Sequence, residues 1–153
     1  MIAKGFHQGN YRYAIWRVWD ESLPLVCFIG LNPSTLDPQK DNPTIRRMIG
    51  FAKAWGYGGF SLANLYGLVA QTPKELNCRK RKVGKQNDEW IVRLAEEAHL
   101  TIACWGASIN EAGRVAEVLA LLPQLYHLGL TKGGAPRHPL YLPKETTPCL
   151  WKR

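Results

Sequence analysis

The sequence has no apolar stretch long enough to cross a membrane. A spanning helix needs about 20 consecutive, mostly apolar residues, and every apolar run in this 153-residue chain is much shorter. The N-terminal residues 1–7 also have no long apolar segment after their lysine, which disfavours a secretory signal. We therefore expect a cytoplasmic protein without a membrane partner.

Cysteine is scarce and irregularly spaced. No pair among the four cysteines has the spacing of a zinc or iron–sulfur site. A chain of this length can also build its core without disulfides. We predict four free thiols, no metal site and no cofactor.

Several motifs of common enzyme classes are missing. The chain has no glycine-rich loop of the dinucleotide-binding or P-loop type and no nucleophile elbow. It also has no close carboxylate pair of the kind that sugar-cleaving glycosidases use. Hydride transfer, P-loop chemistry and α/β-hydrolase chemistry are therefore poor interpretations.

Acidic residues are few relative to basic ones. Twelve Asp and Glu residues stand against twenty Lys and Arg residues, which gives a formal net charge of +8. This excess favours an anionic partner, most commonly a nucleic acid. The densest basic segment lies in the long irregular region 66–87 and consists of Arg79, Lys80, Arg81 and Lys82. These residues, and Arg46 elsewhere, could contact phosphates or simply form solvated surface.

The chain is organised around the segment Leu25–Thr35. Its first six residues form an apolar run typical of a strand buried on both faces of a parallel sheet. The run ends at Gly30 in a polar turn that contains Asn32 and Ser34. Because ligands bind at the carboxyl ends of strands in open α/β sheets, this turn is a candidate site. The alternative is that both polar side chains only make turn hydrogen bonds.

The remaining pattern predicts alternating strands and helices. We predict strands at 11–19, 60–65, 100–104 and 125–128. Helices are predicted from Pro43, with Asn42 as the N-cap, from an N-cap at Asn87 or Asp88 through Ala98, and over a later segment that Pro123 ends. This order predicts one three-layer α/β domain over residues 1–153. Its sheet would be mainly parallel and four-stranded, in the order 2-1-3-4, with an N-terminal antiparallel edge strand.

Polar residues follow several predicted strands. Asn64 closes an otherwise apolar strand, and Trp105 and His138 follow later ones. A buried asparagine needs partners for both its amide and its carbonyl, which either the fold or a ligand must supply. Because parallel strands end at one edge of the sheet, these residues should gather with Asn32.

Four segments resemble motifs of the uracil-DNA glycosylase superfamily. GLNPS at 30–34 resembles the Gly-Ile-Asn-Pro-Gly motif of its mismatch-specific branch, and FSLAN at 60–64 resembles the second strand with its base-binding asparagine. ACWGAS at 103–108 is similar to the third strand, and His138-Pro139 is similar to the His-Pro motif. The segments LNPST at 31–35, DNPTIRRMIGFAKAWGYGG at 41–59, NLYG at 64–67 and RHPLYLP at 137–143 also resemble the domain-of-unknown-function 1643 family of bacteria and phages over nearly the whole chain. That similarity does not indicate an activity.

The superfamily resemblance implies a function and a set of site residues. A glycosylase-like monomer without a cofactor would bind nucleic acid, DNA rather than RNA, and hydrolyse the N-glycosidic bond of a flipped modified, deaminated or mismatched base. Asn64 would pair with the base edge, His138 would donate a hydrogen bond to the base, and Asn32 would hold a water. The resemblance also implies base stacking by Tyr66 or Trp105 and phosphate contacts by Ser34, Thr35, Arg137 and the basic segment.

Two other functions stay open. The chain could be a non-catalytic module that keeps a pocket for a base or nucleotide, or it could hydrolyse free nucleosides or nucleotides.

Overall fold

A computed structural model describes residues 1–108 and 112–153 of the chain. The described strands are β1 (Ile2–Gln8), β2 (Tyr11–Val18), β3 (Leu25–Gly30), β4 (Gly59–Asn64), β5 (Leu100–Ala103), β6 (Tyr126–His127) and β7 (Cys149–Leu150). The described helices are α1 (Pro43–Ala54), α2 (Pro73–Asn77), α3 (Asn87–Glu97) and α4 (Ala112–Leu121).

All of these strands belong to one mixed sheet. Its order is β1-β2-β4-β3-β5-β6-β7. The pairs β3–β4, β3–β5 and β5–β6 are parallel, whereas β1–β2, β2–β4 and β6–β7 are antiparallel. The predicted four-stranded, mainly parallel sheet of the uracil-DNA glycosylase type is therefore wrong, because the sheet has seven strands and antiparallel pairs at both edges.

The two strands absent from the prediction are those with the weakest patterns. Strand β1 is largely exposed, so its residues do not alternate clearly between apolar and polar types. It forms a hairpin with β2 through Gly9, whose φ of +59° suits a tight turn. Strand β7 has two residues, both exposed, which is too short for any periodicity. Their pairing comes from the neighbouring strands rather than from their own apolar pattern.

Helices cover both faces of the sheet. On one face, α1 packs Ile45 and Met48 against Phe28 of β3 and Phe60 of β4. The opposite face is covered by α3 and α4, which bury apolar residues against β3 and β5. Residues 26–29 of β3 have no exposed surface, which explains why this strand is apolar throughout instead of alternating.

The helix starts were predicted with mixed success. Asn42 caps α1 as predicted, since its Oδ1 accepts a hydrogen bond of 2.8 Å from the N–H of Ile45. The predicted N-cap of α3, Asn87 or Asp88, was wrong, because Gln86 is the N-cap and Asn87 is already the first helical residue. The irregular region 66–87 also contains the short helix α2.

The predictions based on the few cysteines and on the lack of long apolar runs can be compared with the structure. All four cysteines are free, as predicted. In residues 1–108 and 112–153, no helix combines the length and apolar character needed to cross a bilayer.

Candidate functional site

A pocket of about 250 Å³ lies where strands β3, β4 and β5 end, beside the first turn of α1. Five of the residues singled out from the sequence line it: Asn32, Ser34, Asn64, Trp105 and His138. They come from three strand ends and one later loop, so the sheet brings distant parts of the chain to one cavity. We take this pocket as the candidate site.

Asn64 is the most deeply buried polar side chain in the pocket wall. It is only 4% exposed, and no described residue forms a hydrogen bond with its side-chain amide. Its backbone pairs in register with Gly30 on β3. The amide oxygen lies so close to Gly30 that a Cβ built there would be 2.7 Å from it. Glycine at position 30 therefore leaves the space that the amide needs at the pocket.

Two side chains from the helical layer hold the end of β4. Nδ2 of Asn87 donates to the carbonyl oxygens of Asn64 at 2.8 Å and Leu65 at 3.1 Å. Nε of Arg114 donates to the same Leu65 oxygen at 2.7 Å, while its Nη2 pairs with Asp88 at 2.6 Å. These buried bonds fix the backbone from which the Asn64 side chain projects.

The turn after β3 fixes the orientation of Asn32. Its Nδ2 donates to the carbonyl oxygens of Pro33 at 2.9 Å and Ala70 at 3.0 Å. Nε2 of Gln71 donates to the carbonyl of Ser34 at 2.7 Å, which also ties the turn to residues 70–71. Asn32 thus makes turn hydrogen bonds through its nitrogen, while its Oδ1 has no donor within the described chain. The pocket therefore gains an acceptor of fixed direction.

His138 reaches the pocket from the loop beyond β6. The backbone N–H of Leu140 donates to its Nδ1 at 3.2 Å, so the neutral ring carries its proton on Nε2. Partial burial lowers the pKa of His138, which favours this neutral form. The loop is anchored to the end of β5, where the N–H of Gly106 donates to the Pro136 carbonyl at 2.9 Å.

Trp105 and Cys104 form part of the apolar wall. Trp105 is buried and contacts Trp151 at a ring-centroid distance of 5.9 Å. Cys104 has no exposed surface, and burial raises the pKa of its thiol well above the usual value. A thiol in that state is a poor nucleophile, so Cys104 contributes shape rather than chemistry.

Arg12 also lines the pocket, although the sequence analysis did not select it. Strand β2 runs antiparallel to β4, so the first residues of β2 lie beside the last residues of β4. Nη1 of Arg12 donates to the Thr35 carbonyl at 3.0 Å, and the residue is 5% exposed. The alternating aromatic residues of β2 indicate a strand but do not indicate a site. Arg12 is recognised as a pocket residue only once the antiparallel direction of β2 is known.

Several predicted site residues lie outside the pocket lining. Thr35 accepts the N–H of Asp37 at its hydroxyl, and Arg137 packs against Gly129. The ring of Tyr66 is buried in the core cluster, with the Lys82 ammonium 5.3 Å from its centroid. Its predicted stacking on a base in this pocket does not fit that placement. Arg46 borders a different cavity, which residues of α1 and Lys144 line.

The basic segment 79–82 follows helix α2. Arg79, Lys80 and Arg81 are exposed, and the Arg81 carbonyl accepts a hydrogen bond of 2.7 Å from the Tyr11 hydroxyl. The beginning of α2 contributes Thr72 and Pro73 to the pocket rim. The segment is therefore close in sequence to the site but does not line it.

Residues 12–140 match the family described as "Protein of unknown function (DUF1643)". The chain belongs to the DUF1643 family. The matched DUF1643 region contains all of the pocket residues named above and leaves out β1 and β7. Neither the curated proteins nor the solved structures contain a match to the chain.

These comparisons do not support a relationship between this DUF1643 protein and the uracil-DNA glycosylases. Its pocket must therefore be interpreted from its own chemistry. Among residues 1–108 and 112–153, no group of three or more His, Cys, Asp or Glu side chains is placed to hold a metal ion. The described pocket residues also include no Asp or Glu.

Proposed function

We propose that the pocket binds a nucleobase and that the protein hydrolyses the N-glycosidic bond between this base and its sugar. The observation that carries the proposal is the Asn64 amide, which is almost fully buried and has no protein partner in the described chain. A ligand that displaces water from the pocket removes the hydrogen bonds of this amide unless it replaces them. A base edge, with donors and acceptors side by side, is a ligand that would restore those hydrogen bonds.

Two further groups supply the chemistry. Asn32 Oδ1 is held as an acceptor and can orient a water whose oxygen bonds to the anomeric carbon. The glycosidic electron pair leaves with the base, and the proton that the attacking water loses finally goes to the released base through solvent. The Nε2–H of His138 can donate to a base oxygen on which negative charge develops, which lowers the barrier because the donor is already positioned.

The absence of acidic groups in the described pocket lining limits the substrates. Asparagine cannot accept a proton from water as a carboxylate can, so the described lining supplies no strong general base. We therefore expect slow release of bases that leave readily, such as deaminated, modified or mismatched bases. The same observation favours a second candidate, in which the pocket binds a base or nucleotide without cleaving it.

Nucleic acid is the proposed source of the base, with DNA favoured over RNA. The net charge is +8, and the basic segment 79–82 follows a helix that contributes to the pocket rim. Strand phosphates running past the pocket would meet this positive charge. Such contacts position the strand but do not select its sequence.

A single-turnover base-release assay tests the proposal. A pool of oligonucleotides with diverse modified and mismatched bases would be incubated with excess protein, and the released bases would be identified by mass spectrometry. We expect release by the wild type and loss of release in Asn32→Ala, Asn64→Ala and His138→Ala. The matched controls Asn77→Ala and His7→Ala alter exposed residues outside the pocket and should retain release.

The other outcomes separate the candidates. Oligonucleotide binding that depends on Asn64 but gives no released base would contradict hydrolysis and support the binding module. Release from free nucleosides or nucleotides alone would contradict the nucleic-acid substrate. Neither binding nor release with either class of ligand would overturn the base-binding pocket.

A further inference from the structure

Arg12 is a buried cation that has no anionic partner among the described residues. Three described arginines are more than nine-tenths buried: Arg12, Arg17 and Arg114. Arg17 pairs with Asp41 at 3.1 Å, and Arg114 pairs with Asp88 at 2.6 Å. Within the described chain, no carboxylate lies within ion-pair distance of Arg12. Because a buried charge is costly unless it is paired, Arg12 differs in kind from the other two.

The surroundings of Arg12 leave its charge poorly compensated. Burial and, to a smaller extent, the charge of Arg17 together lower the pKa of Arg12 to about 10, and the Asp37 carboxylate opposes them only in part. Nη1 is bonded to the Thr35 carbonyl, and no described residue accepts a hydrogen bond from Nε or Nη2. These two nitrogens form the donor pair that bridges two oxygens of a phosphate.

The beginning of α1 adds a second positive element to the same cavity. Pro43 has no N–H, and the N–H groups of Ile45 and Arg46 bond to Asn42. The N–H of Thr44 has no acceptor within the described residues, and Thr44 and Arg12 both line the pocket. The 12-residue helix α1 also directs the positive end of its dipole to this point.

From this juxtaposition, we propose that Arg12 and the first turn of α1 bind a phosphate group of the substrate. The pocket then binds a phosphate of the nucleotide in addition to its base. This inference rests on the proposed function for the identity of the base portion. The phosphate could belong to a free nucleotide or to a nucleic-acid strand, and both present the same oxygens to the guanidinium.

Paired ligands test the phosphate site. Binding of inorganic phosphate, of the common deoxynucleosides and of their 5′-monophosphates would be measured by calorimetry at constant ionic strength. We expect at least one monophosphate to bind about tenfold or more tighter than its nucleoside, as suits one charge-assisted hydrogen-bond pair. The preference should vanish in Arg12→Gln, with nucleoside affinity retained. It should survive in Arg93→Gln, which removes an exposed arginine of α3.

The two proposals fail in distinguishable ways. Equal affinity of nucleosides and monophosphates for the wild type would overturn the phosphate site, even if bases still bind through Asn64. Arg12-dependent binding of inorganic phosphate without any added affinity from a base would retain the phosphate site and contradict the base pocket.

Two further arms complete the experiment. Should monophosphates fail to bind, an oligonucleotide that binds only when Arg12 is present would support the site and identify a strand as its source. Should Arg12→Gln be unfolded by circular dichroism, Arg12→Lys would replace it. Lysine keeps the charge but lacks the paired donors, so a several-fold weaker preference supports the proposal and an unchanged preference contradicts bidentate binding.

Discussion

Nδ2 of Asn87 donates a 2.8 Å hydrogen bond to the backbone carbonyl oxygen of Asn64. This bond links the first turn of α3 to the last residue of β4, and a second bond extends it to Leu65. Asn64 therefore faces the pocket with its side chain, and Asn87 holds the backbone of Asn64 in place. The first two predictions below start from such contacts.

Replacing Asn87 with alanine should destabilise the fold and weaken base release. The change leaves two buried carbonyls with fewer donors, so we expect a loss of about 1–3 kcal/mol in the free energy of unfolding. Urea denaturation measures this loss. The control Glu97→Ala removes only an exposed i,i+4 partner of Arg93 at the end of α3, which should cost about 0.5 kcal/mol or less. Equal losses in the two variants would contradict the proposed anchoring.

Replacing Gly30 with alanine should reduce base release at least about tenfold. The new Cβ would lie 2.7 Å from Asn64 Oδ1, so the amide must move from its position at the pocket. Gly50→Ala is the control, because a Cβ there meets nothing within 4 Å on the exposed side of α1 and should stabilise the helix by about 0.5–1 kcal/mol. Unchanged release by Gly30→Ala would show that the amide position does not matter.

Stability should fall as the solution is acidified below the usual histidine pKa of about 6.5. Burial lowers the pKa of both His127 and His138, so the unfolded chain binds more protons between the folded and unfolded pKa values. The contribution of the two histidines to the free energy of unfolding is complete above their pKa in the unfolded chain. It is lost as the pH falls through their pKa in the folded protein. Urea denaturation at a series of pH values measures it, and the double variant His127→Gln/His138→Gln should flatten the dependence. An equally steep dependence in that variant would rule these histidines out as its source.

The four cysteines should label in two distinct groups. Cys78 and Cys149 are exposed, whereas Cys27 and Cys104 are buried. Burial also raises the pKa of Cys27 to about 12, so almost no thiolate is present at neutral pH. A thiol reagent followed by peptide mass spectrometry should modify the exposed pair in the native protein and all four cysteines in urea. Rapid native labelling of Cys104 would mean that the pocket wall opens.

Part of this structure was predictable because local chemistry decides it. The apolar run from Leu25 to Gly30 coincides with β3, and Asn42 followed by Pro43 marked the start of α1. The grouping of Asn32 with Asn64 and His138 in one pocket lining follows from the way parallel strands end at the same edge. No knowledge of tertiary packing was needed for these assignments.

The remainder depends on pairings that one sequence does not display. Strand β1 is too exposed to show an apolar pattern, and its place comes from hydrogen bonding to β2. In the sequence, Arg12 is one polar residue of a predicted strand. Only the antiparallel pairing of β2 with β4 shows that Arg12 lies beside the end of β4. Tyr66 follows the end of β4 closely, but its ring turns into the core instead of the pocket. Asn87 resembled an N-cap because both roles use a side-chain amide near a helix start.

The pocket draws its walls from nearly the whole length of the chain, from residue 12 in the first hairpin to residue 138 near the C-terminus. Contacts between residues so far apart in sequence impose a large loop-closure entropy and tend to form late in folding. Partly folded chains should therefore lack the site altogether. A bound ligand would act as a non-covalent crosslink between early and late segments, and it would raise the stability of the entire domain in proportion to the logarithm of its concentration.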